Sequence, residues 1–163
     1  MTNEQAFNIN EIFEGGDKVT TTPGDLGGTT KWGFSQAAYP KVDIANLDRT
    51  TALAMYTTDY WNASNCQKLK PELQYVMVDT AFNMGIETAT KILQEAAGVT
   101  VDGIFGPETM MKSDNVTIGE YLFFREVYDT TIVEHRQSQI EFLGGWSNRN
   151  KSILSLYKQG KLN

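Results

Sequence analysis

Two carboxylates and one hydroxyl near the N-terminus have types and spacing suited to acid–base chemistry. Glu14 precedes a glycine-rich stretch, Asp25 lies inside it and Thr30 follows it. Glycosidic cleavage needs one carboxylic acid to protonate the leaving oxygen and a second group to activate water or attack the sugar. Glu14 suits the first task, and Asp25 with Thr30 can hold and polarise one water. The same residues also fit a purely structural set: a helix end, a turn former and a strand former.

The elements around Glu14 favour the acid role. Residues 4–14 have apolar side chains at helical spacing, and Gly15-Gly16 ends the predicted helix. Glu14 therefore lies at the negative end of the helix dipole, beside apolar Ile12 and Phe13. Both surroundings disfavour an ionised carboxylate, which is what a general acid near neutral pH needs.

Residues 17–34 have a different texture, rich in Thr, Gly and Pro and without helical periodicity. Turn signals at Pro23-Gly24-Asp25 separate two β-leaning pieces, residues 18–20 and 29–32, which we expect to pair as a small hairpin. Ser35 is a candidate N-cap for a short helix through Tyr39.

The rest of the chain predicts helices, with Gly144-Gly145 as the break before the last of them. Their expected ranges are 48–61, 71–84, 87–97, 107–111, 118–142 and 150–157. The expected fold is mainly α, a single domain over residues 1–163 with a small β-hairpin excursion near the N-terminus.

Composition narrows the function. The chain has 163 residues, 40% of them hydrophobic, which suffices for one substantial core. The net charge of −6 argues against nucleic acid as a partner, and it also disfavours association with an anionic cell wall. Neither a signal peptide nor a membrane-inserting run is expected from the sequence.

The chain has one cysteine, Cys66, and one histidine, His135. We therefore expect no disulfide, no Cys/His metal site and synthesis in a reducing compartment. A Cys66–His135 nucleophile–base pair stays open as an alternative chemistry.

Five segments in order resemble the signature of glycoside hydrolase family 108. The first runs from Glu14-Gly15-Gly16 through Asp25-Leu26-Gly27-Gly28-Thr29-Thr30-Lys31-Trp32-Gly33-Phe34, with Leu26 in place of a proline and Phe34 in place of an isoleucine. The others are Tyr56 to Trp61, Asp79 to Gly85, Leu93 to Thr109, and Gly145-Trp146-Ser147-Asn148-Arg149. The resemblance covers nearly the whole chain.

The resemblance implies a lysozyme-like fold and an N-acetylmuramidase that cuts the β-1,4 bond between N-acetylmuramic acid and N-acetylglucosamine. It implies a catalytic half over residues 1–90 and a peptidoglycan-binding half over 91–163. Glu14 matches the catalytic glutamate of the family. The trio also resembles that of phage T4-type lysozymes, which implies water positioning by Asp25 and Thr30, and inversion at the anomeric carbon.

Further residues are candidates for the substrate groove, each with a structural alternative. Trp32 and Trp146 can stack on sugar faces or lie in the core. Asn83 can bind an acetamido group or cap a helix, and Phe105 can line the groove. Arg149 is a candidate to orient Glu14, although surface pairing is the default for an arginine.

The expected protein is a monomeric phage endolysin that needs no cofactor or metal and has peptidoglycan glycan strands as its partner. We expect it in the host cytoplasm until a holin releases it to the periplasm. The alternatives are a non-catalytic cell-wall-binding module, a lytic transglycosylase and a secretion-associated muramidase.

Overall fold

The computed structural model describes residues 1–21 and 28–162. These residues form seven α-helices and one three-stranded antiparallel sheet. They divide into two compact units, an N-terminal unit of Thr2–Trp61 and a C-terminal unit of Met1 with the residues from Asn62 onward. The single-domain organisation stays a prediction, and each unit is described by itself.

The N-terminal unit contains two helices and the sheet. Its elements are α1 (Asn3–Glu14), β1 (Thr20–Thr21), β2 (Thr29–Lys31), β3 (Phe34–Ser35) and α2 (Arg49–Tyr56). The strands are ordered β1-β2-β3, and both pairings are antiparallel. The predicted hairpin is therefore confirmed, and it is extended by a third strand.

Local sequence fixes both ends of α1. The Thr2 hydroxyl accepts from the Gln5 backbone N–H, and the Gln5 side chain accepts from the Thr2 N–H, a reciprocal capping box. Gly15 ends the helix at φ 80°, a left-handed conformation that glycine adopts without a Cβ clash.

Arg49 joins α2 to α1. Its Nε lies 2.7 Å from the Glu11 carboxylate, and its guanidinium stands 5.5 Å above the Phe7 ring. Phe7 is fully buried and packs on Tyr56, with 5.2 Å between the ring centroids. This contact gives the N-terminal unit an aromatic core beneath the helix that carries Glu14.

A π-helix, Thr57–Asn62, continues directly from α2. Its Asp59 and Tyr60 both bond the Tyr39 hydroxyl, at 2.9 Å and 3.2 Å. Burial, assisted by both partners, raises the pKa of Tyr39 above its usual range, so this phenol stays protonated.

The C-terminal unit is a helical bundle. Its helices are α3 (Pro71–Met84), α4 (Ile86–Ala97), α5 (Pro107–Ser113), α6 (Ile118–His135) and α7 (Ile140–Lys158). The central helix is α3, which is buried from residue 73 to 81 and packs against α4 and α6. Helix α4 also contacts α5 and α6, and α6 contacts α7.

Two boundary predictions were wrong. The long helix ends at His135 rather than near Phe142, because Arg136 leaves helical geometry at φ −139°. Gly144 and Gly145 do not break the chain but lie inside α7, where neighbouring helical residues outweigh a glycine penalty of about 1 kcal/mol each.

The predicted helix from Ser35 to Tyr39 is also wrong. Ser35 ends β3 instead, and its hydroxyl accepts from the Ala38 N–H at 3.3 Å. Pairing of Ser35 with Thr30 holds the backbone extended, so the serine supports a single turn after the strand.

Within the described residues, no helix combines the length and the apolar character needed to span a membrane.

Candidate functional site

Glu14 is the last residue of α1 and is half-buried. Gly15 and Gly16 follow with φ of 80° and 63°, so the chain turns away immediately after the carboxylate. The position predicted for Glu14, at a helix end before a glycine pair, is confirmed.

A backbone hydrogen bond closes the loop that follows Glu14. The Trp32 N–H donates to the Gly16 carbonyl at 3.0 Å, so the turn after α1 meets the end of β2. Thr30 lies on this central strand, half-buried, and pairs with Thr20 on one side and Ser35 on the other. The segment after Glu14 and the strand of Thr30 therefore come together in the N-terminal unit.

Asp25, the predicted water-positioning carboxylate, lies outside the described residues. Its role stays a prediction from the sequence.

Trp32 occupies an unusual backbone conformation. Trp32 and Gly33 have φ of 57° and 80°, as the central pair of a type I′ hairpin turn requires, and they connect β2 to β3. The Trp32 indole donates to the Leu47 carbonyl at 3.0 Å and contacts the Phe7 ring, centroids 6.3 Å apart. A left-handed tryptophan costs about 1–3 kcal/mol, so these contacts must hold it in place. The ring stays half-exposed, and its sugar-binding role stays a prediction.

Three predicted residues line one cavity in the C-terminal unit. Asn83, Trp146 and Arg149 share a cavity of about 200 Å³ with residues of α6. The remaining lining residues are Met84, Arg125, Tyr128 and Ile132. The Asn83 side chain also donates to the Asp79 carbonyl at 2.8 Å within the last turn of α3. Gly85 rather than Asn83 caps this helix, so the predicted capping role is wrong, and the sugar contact of Asn83 stays a prediction.

The strongest polar cluster beside this cavity centres on Asp79. Its buried carboxylate lies 2.7 Å from Arg125 of α6 and 2.7 Å from Arg149 of α7. Arg149 donates from both Nε and Nη2, a planar two-point contact. Asp79 is thus a buried carboxylate whose charge is balanced by two arginines, and the pairing of Arg149 with Glu14 stays a prediction.

Sequence reasoning did not assign either ion-pair partner of Asp79; these partners are Arg125 on α6 and Arg149 on α7. Burial of Asp79 opposes its ionisation, but Arg125 and Arg149 outweigh this and hold its pKa below the usual range. The sequence signal for this ion pair was Arg125, which lies among the apolar positions of α6. A buried guanidinium requires a buried anion, so its position indicates a carboxylate nearby.

Asp129 is a second buried carboxylate on α6. Burial raises its pKa to about 6, against the lowering effect of Arg125 and Asn150, and Glu126 adds to the rise. The pKa of Asp79 is therefore lowered and that of Asp129 raised, although Arg125 acts to lower both.

Phe105 lies in a loop that Gln94 holds together. The Gln94 amide donates to Asp102 at 2.7 Å and to the Ile104 carbonyl at 3.1 Å, and its oxygen accepts from the Gly103 N–H at 2.8 Å. Phe105 is half-buried and is not among the residues that line the Asn83–Trp146 cavity.

The alternative Cys66–His135 chemistry finds no support. Cys66 is buried, which raises the pKa of its thiol to about 12, whereas His135 is exposed at the end of α6. A thiolate is the required nucleophile, and burial disfavours it. No group of three or more metal-ligating side chains occurs among the described residues.

Two family models match consecutive parts of the chain. The Glycosyl hydrolase 108 model matches residues 10–85, and a model described as Predicted Peptidoglycan domain matches residues 88–151. The first range contains Glu14 and the sheet, and the second contains most of the C-terminal cavity. A comparison with curated proteins yields no match.

Among solved structures, the chain is similar to SagA of Brucella abortus. The two share 25% sequence identity with a TM-score of 0.80, over 94% of this chain and 91% of SagA. The predicted fold, mainly α and lysozyme-like with a small β excursion, is confirmed. Residues 10–85 thus form a glycosyl hydrolase 108 domain and residues 88–151 a peptidoglycan domain, as in a glycoside hydrolase that acts on peptidoglycan.

Proposed function

We propose that the protein is an N-acetylmuramidase that hydrolyses the β-1,4 bond between N-acetylmuramic acid and N-acetylglucosamine. One observation carries this proposal. Glu14 is a half-buried carboxyl at the C-terminal end of α1, beside a turn bonded to the strand of Thr30. The whole arrangement lies within the range matched by the glycosyl hydrolase model.

In the proposed reaction, Glu14 gives its proton to the glycosidic oxygen as the bond from that oxygen to the anomeric carbon breaks. Thr30 and Asp25 hold a water on the opposite face of the sugar, and Asp25 takes its proton. The water oxygen then bonds to the anomeric carbon with inversion. Asn83 and Trp146, with Trp32 and Phe105, are the proposed sugar contacts, and Arg149 the proposed orienting residue.

The acid role is tested on permeabilised Gram-negative cells by turbidity loss. Replacing the acid by its isosteric amide, Glu14→Gln, removes the transferable proton and should slow lysis about 100- to 10,000-fold. Glu4→Gln, the same change on the exposed first turn of α1, is the matched control and should lyse normally. Lysis by Glu14→Gln at the wild-type rate would contradict the assignment of Glu14 as the general acid.

Mass spectrometry of the products tests the bond and the mechanism. Hydrolysis leaves reducing N-acetylmuramic acid ends. Reducing N-acetylglucosamine ends would contradict the proposed bond, and 1,6-anhydro ends would identify a lytic transglycosylase instead.

The match of residues 88–151 to a peptidoglycan domain favours a second candidate, a cell-wall-binding module in which Glu14 is incidental. A pull-down with insoluble peptidoglycan separates the two candidates. Binding without new reducing ends would favour the module.

We further propose a phage endolysin role, with the protein held in the host cytoplasm until a holin admits it to the wall. The single cysteine supports folding in a reducing compartment. Expression with and without a holin tests this role, since lysis should require both. Neighbouring genes for secretion machinery would favour the secretion-associated alternative.

A further inference from the structure

Three cavities of the C-terminal unit meet at one side chain, Tyr128 of α6. The Asn83–Trp146 cavity is one of them. A second, of about 310 Å³, is lined by Tyr128 with Thr131, Ile132, His135 and Arg136. The third, of about 290 Å³, lies between α4 and α6 and also contains Tyr128 and Thr131. Because all three have Tyr128 in their lining, the cavities adjoin one another along α6, and the surface they make up is called here the α6 groove.

One face of α6 forms the floor of this groove. Its lining positions recur three or four residues apart from Phe124 to Arg136. They span about 18 Å at ~1.5 Å rise per residue. An extended chain advances ~3.4 Å per residue, so the groove accommodates about five residues of peptide.

The two outer cavities differ in chemistry. The cavity between α4 and α6 presents the apolar residues Ile92, Val101, Phe124 and Val127, together with Glu95 and Lys91, which pairs with Glu87 at 2.6 Å.

The cavity at the end of α6 has Arg136 and His135 in its lining and no carboxylate among its lining residues. A cationic recess on a chain of net charge −6 indicates an anionic ligand group.

We propose that the α6 groove binds the peptide stem of peptidoglycan, in addition to the glycan contacts of the Asn83–Trp146 cavity. This inference rests on the proposed function in taking peptidoglycan as the substrate. Stem peptides are short, acidic and rich in small apolar side chains. Their carboxylates fit the Arg136 end, and their methyl groups fit the apolar cavity. An uncharged glycan would leave the cationic end without a counterpart.

Calorimetric titration of the full chain with the free tetrapeptide stem, released from peptidoglycan by an amidase, tests the proposal. Arg136→Gln removes the cation and should weaken tetrapeptide binding about 3- to 10-fold. Val127→Asp places a like charge in the apolar cavity and should act in the same direction. Arg136 and Val127 are both exposed, so neither change should unfold the chain.

Two controls separate this effect from general charge. Lys161→Gln changes an exposed lysine outside the groove and should bind the tetrapeptide like wild type. Chitotetraose, a glycan without peptide or charge, should bind both groove variants as it binds wild type. The proposal would be overturned if wild type did not bind the tetrapeptide. It would also be overturned if the groove variants bound the tetrapeptide as tightly as Lys161→Gln does.

The two proposals fail separately. A protein that binds the tetrapeptide but releases no new reducing ends refutes only the muramidase proposal. A protein that cleaves glycan strands but does not bind the tetrapeptide refutes only the stem site.

Discussion

At the residue scale, ion pairs of the Asp79 carboxylate join three helices, α3, α6 and α7. It accepts from Arg125 and Arg149 at 2.7 Å each, from a position on α3 that is fully buried. Removing one partner of a buried ion pair leaves the others without compensation. The stability of the C-terminal unit therefore depends strongly on this one side chain.

We expect Asp79→Asn to lower the free energy of unfolding by about 3–5 kcal/mol, because two nearby guanidiniums lose their counter-charge. Urea denaturation at neutral pH measures the change. Asp114→Asn, at an exposed carboxylate, should shift stability by less than about 0.5 kcal/mol. Equal stability of the two variants would show that the cluster contributes nothing.

The raised pKa of Asp129 predicts that this carboxyl makes the folded protein less stable as the pH rises. In the unfolded chain its carboxyl ionises near 3.8, whereas the folded protein keeps it protonated to about pH 6. Stability from neutral Asp129 is thus complete below about pH 4 and is lost as pH rises to about 6.

Asp129→Asn should remove this loss, so the variant should gain about 1–2 kcal/mol on wild type between pH 4 and 7, after allowance for solvent screening. Urea denaturation across this range measures the difference. A variant whose stability parallels that of wild type across the range would contradict a raised Asp129 pKa.

The sequence indicated the positions of candidate catalytic residues better than it indicated the contacts between distant residues. The place of Glu14 followed from local spacing and a glycine pair, and both are visible in the structure. The partnership of Arg149 with Asp79 did not follow, because it depends on how α3 and α7 are rotated towards each other. No local pattern encodes that rotation.

At the scale of elements, Gly144 and Gly145 have the lowest helix propensity of the residues inside α7. A Cβ added at either would meet no atom within 4 Å. Gly144→Ala with Gly145→Ala should therefore raise the free energy of unfolding by about 0.5–1 kcal/mol for each site. Thermal unfolding followed by circular dichroism measures the gain.

Gly103→Ala is the contrasting variant. Gly103 has φ 77°, and an added Cβ would lie 2.8 Å from the Glu87 side chain, so alanine should destabilise. Loss of stability in the Gly144/Gly145 variant as well would show that α7 requires these glycines.

Helix starts were predictable where a polar cap or a proline marks them. Asp48 caps α2 with a bond to the Thr51 N–H at 2.9 Å, and Pro71 opens α3. The boundary between α6 and α7 was not predictable, because the glycine pair gives a stronger local signal than Arg136 does. Tertiary packing of α7 on α6 decides the outcome, and propensity is overridden.

At the scale of the whole molecule, the net charge of −6 opposes approach to an anionic cell wall. Salt screens this repulsion, with a Debye length of about 10 Å at 0.1 M. We therefore expect the initial lysis rate of permeabilised cells to rise as ionic strength increases from about 0.01 to 0.15 M. Turbidity loss at constant pH measures the rate.

Binding of chitotetraose should not follow the same curve, because this glycan carries no charge. A lysis rate that falls steadily with salt would show instead that a cationic surface, such as the Arg136 end of the α6 groove, governs the encounter.

The Asp79 cluster also constrains the order in which the chain is assembled. Synthesis delivers Asp79 first, Arg125 later and Arg149 last. A nascent chain that stops before Arg149 must bury its carboxylate with one guanidinium or leave α3 unpacked. We infer that α7 acts as the closing step of folding, so premature termination in the last helix leaves an opened bundle that cellular proteases can degrade.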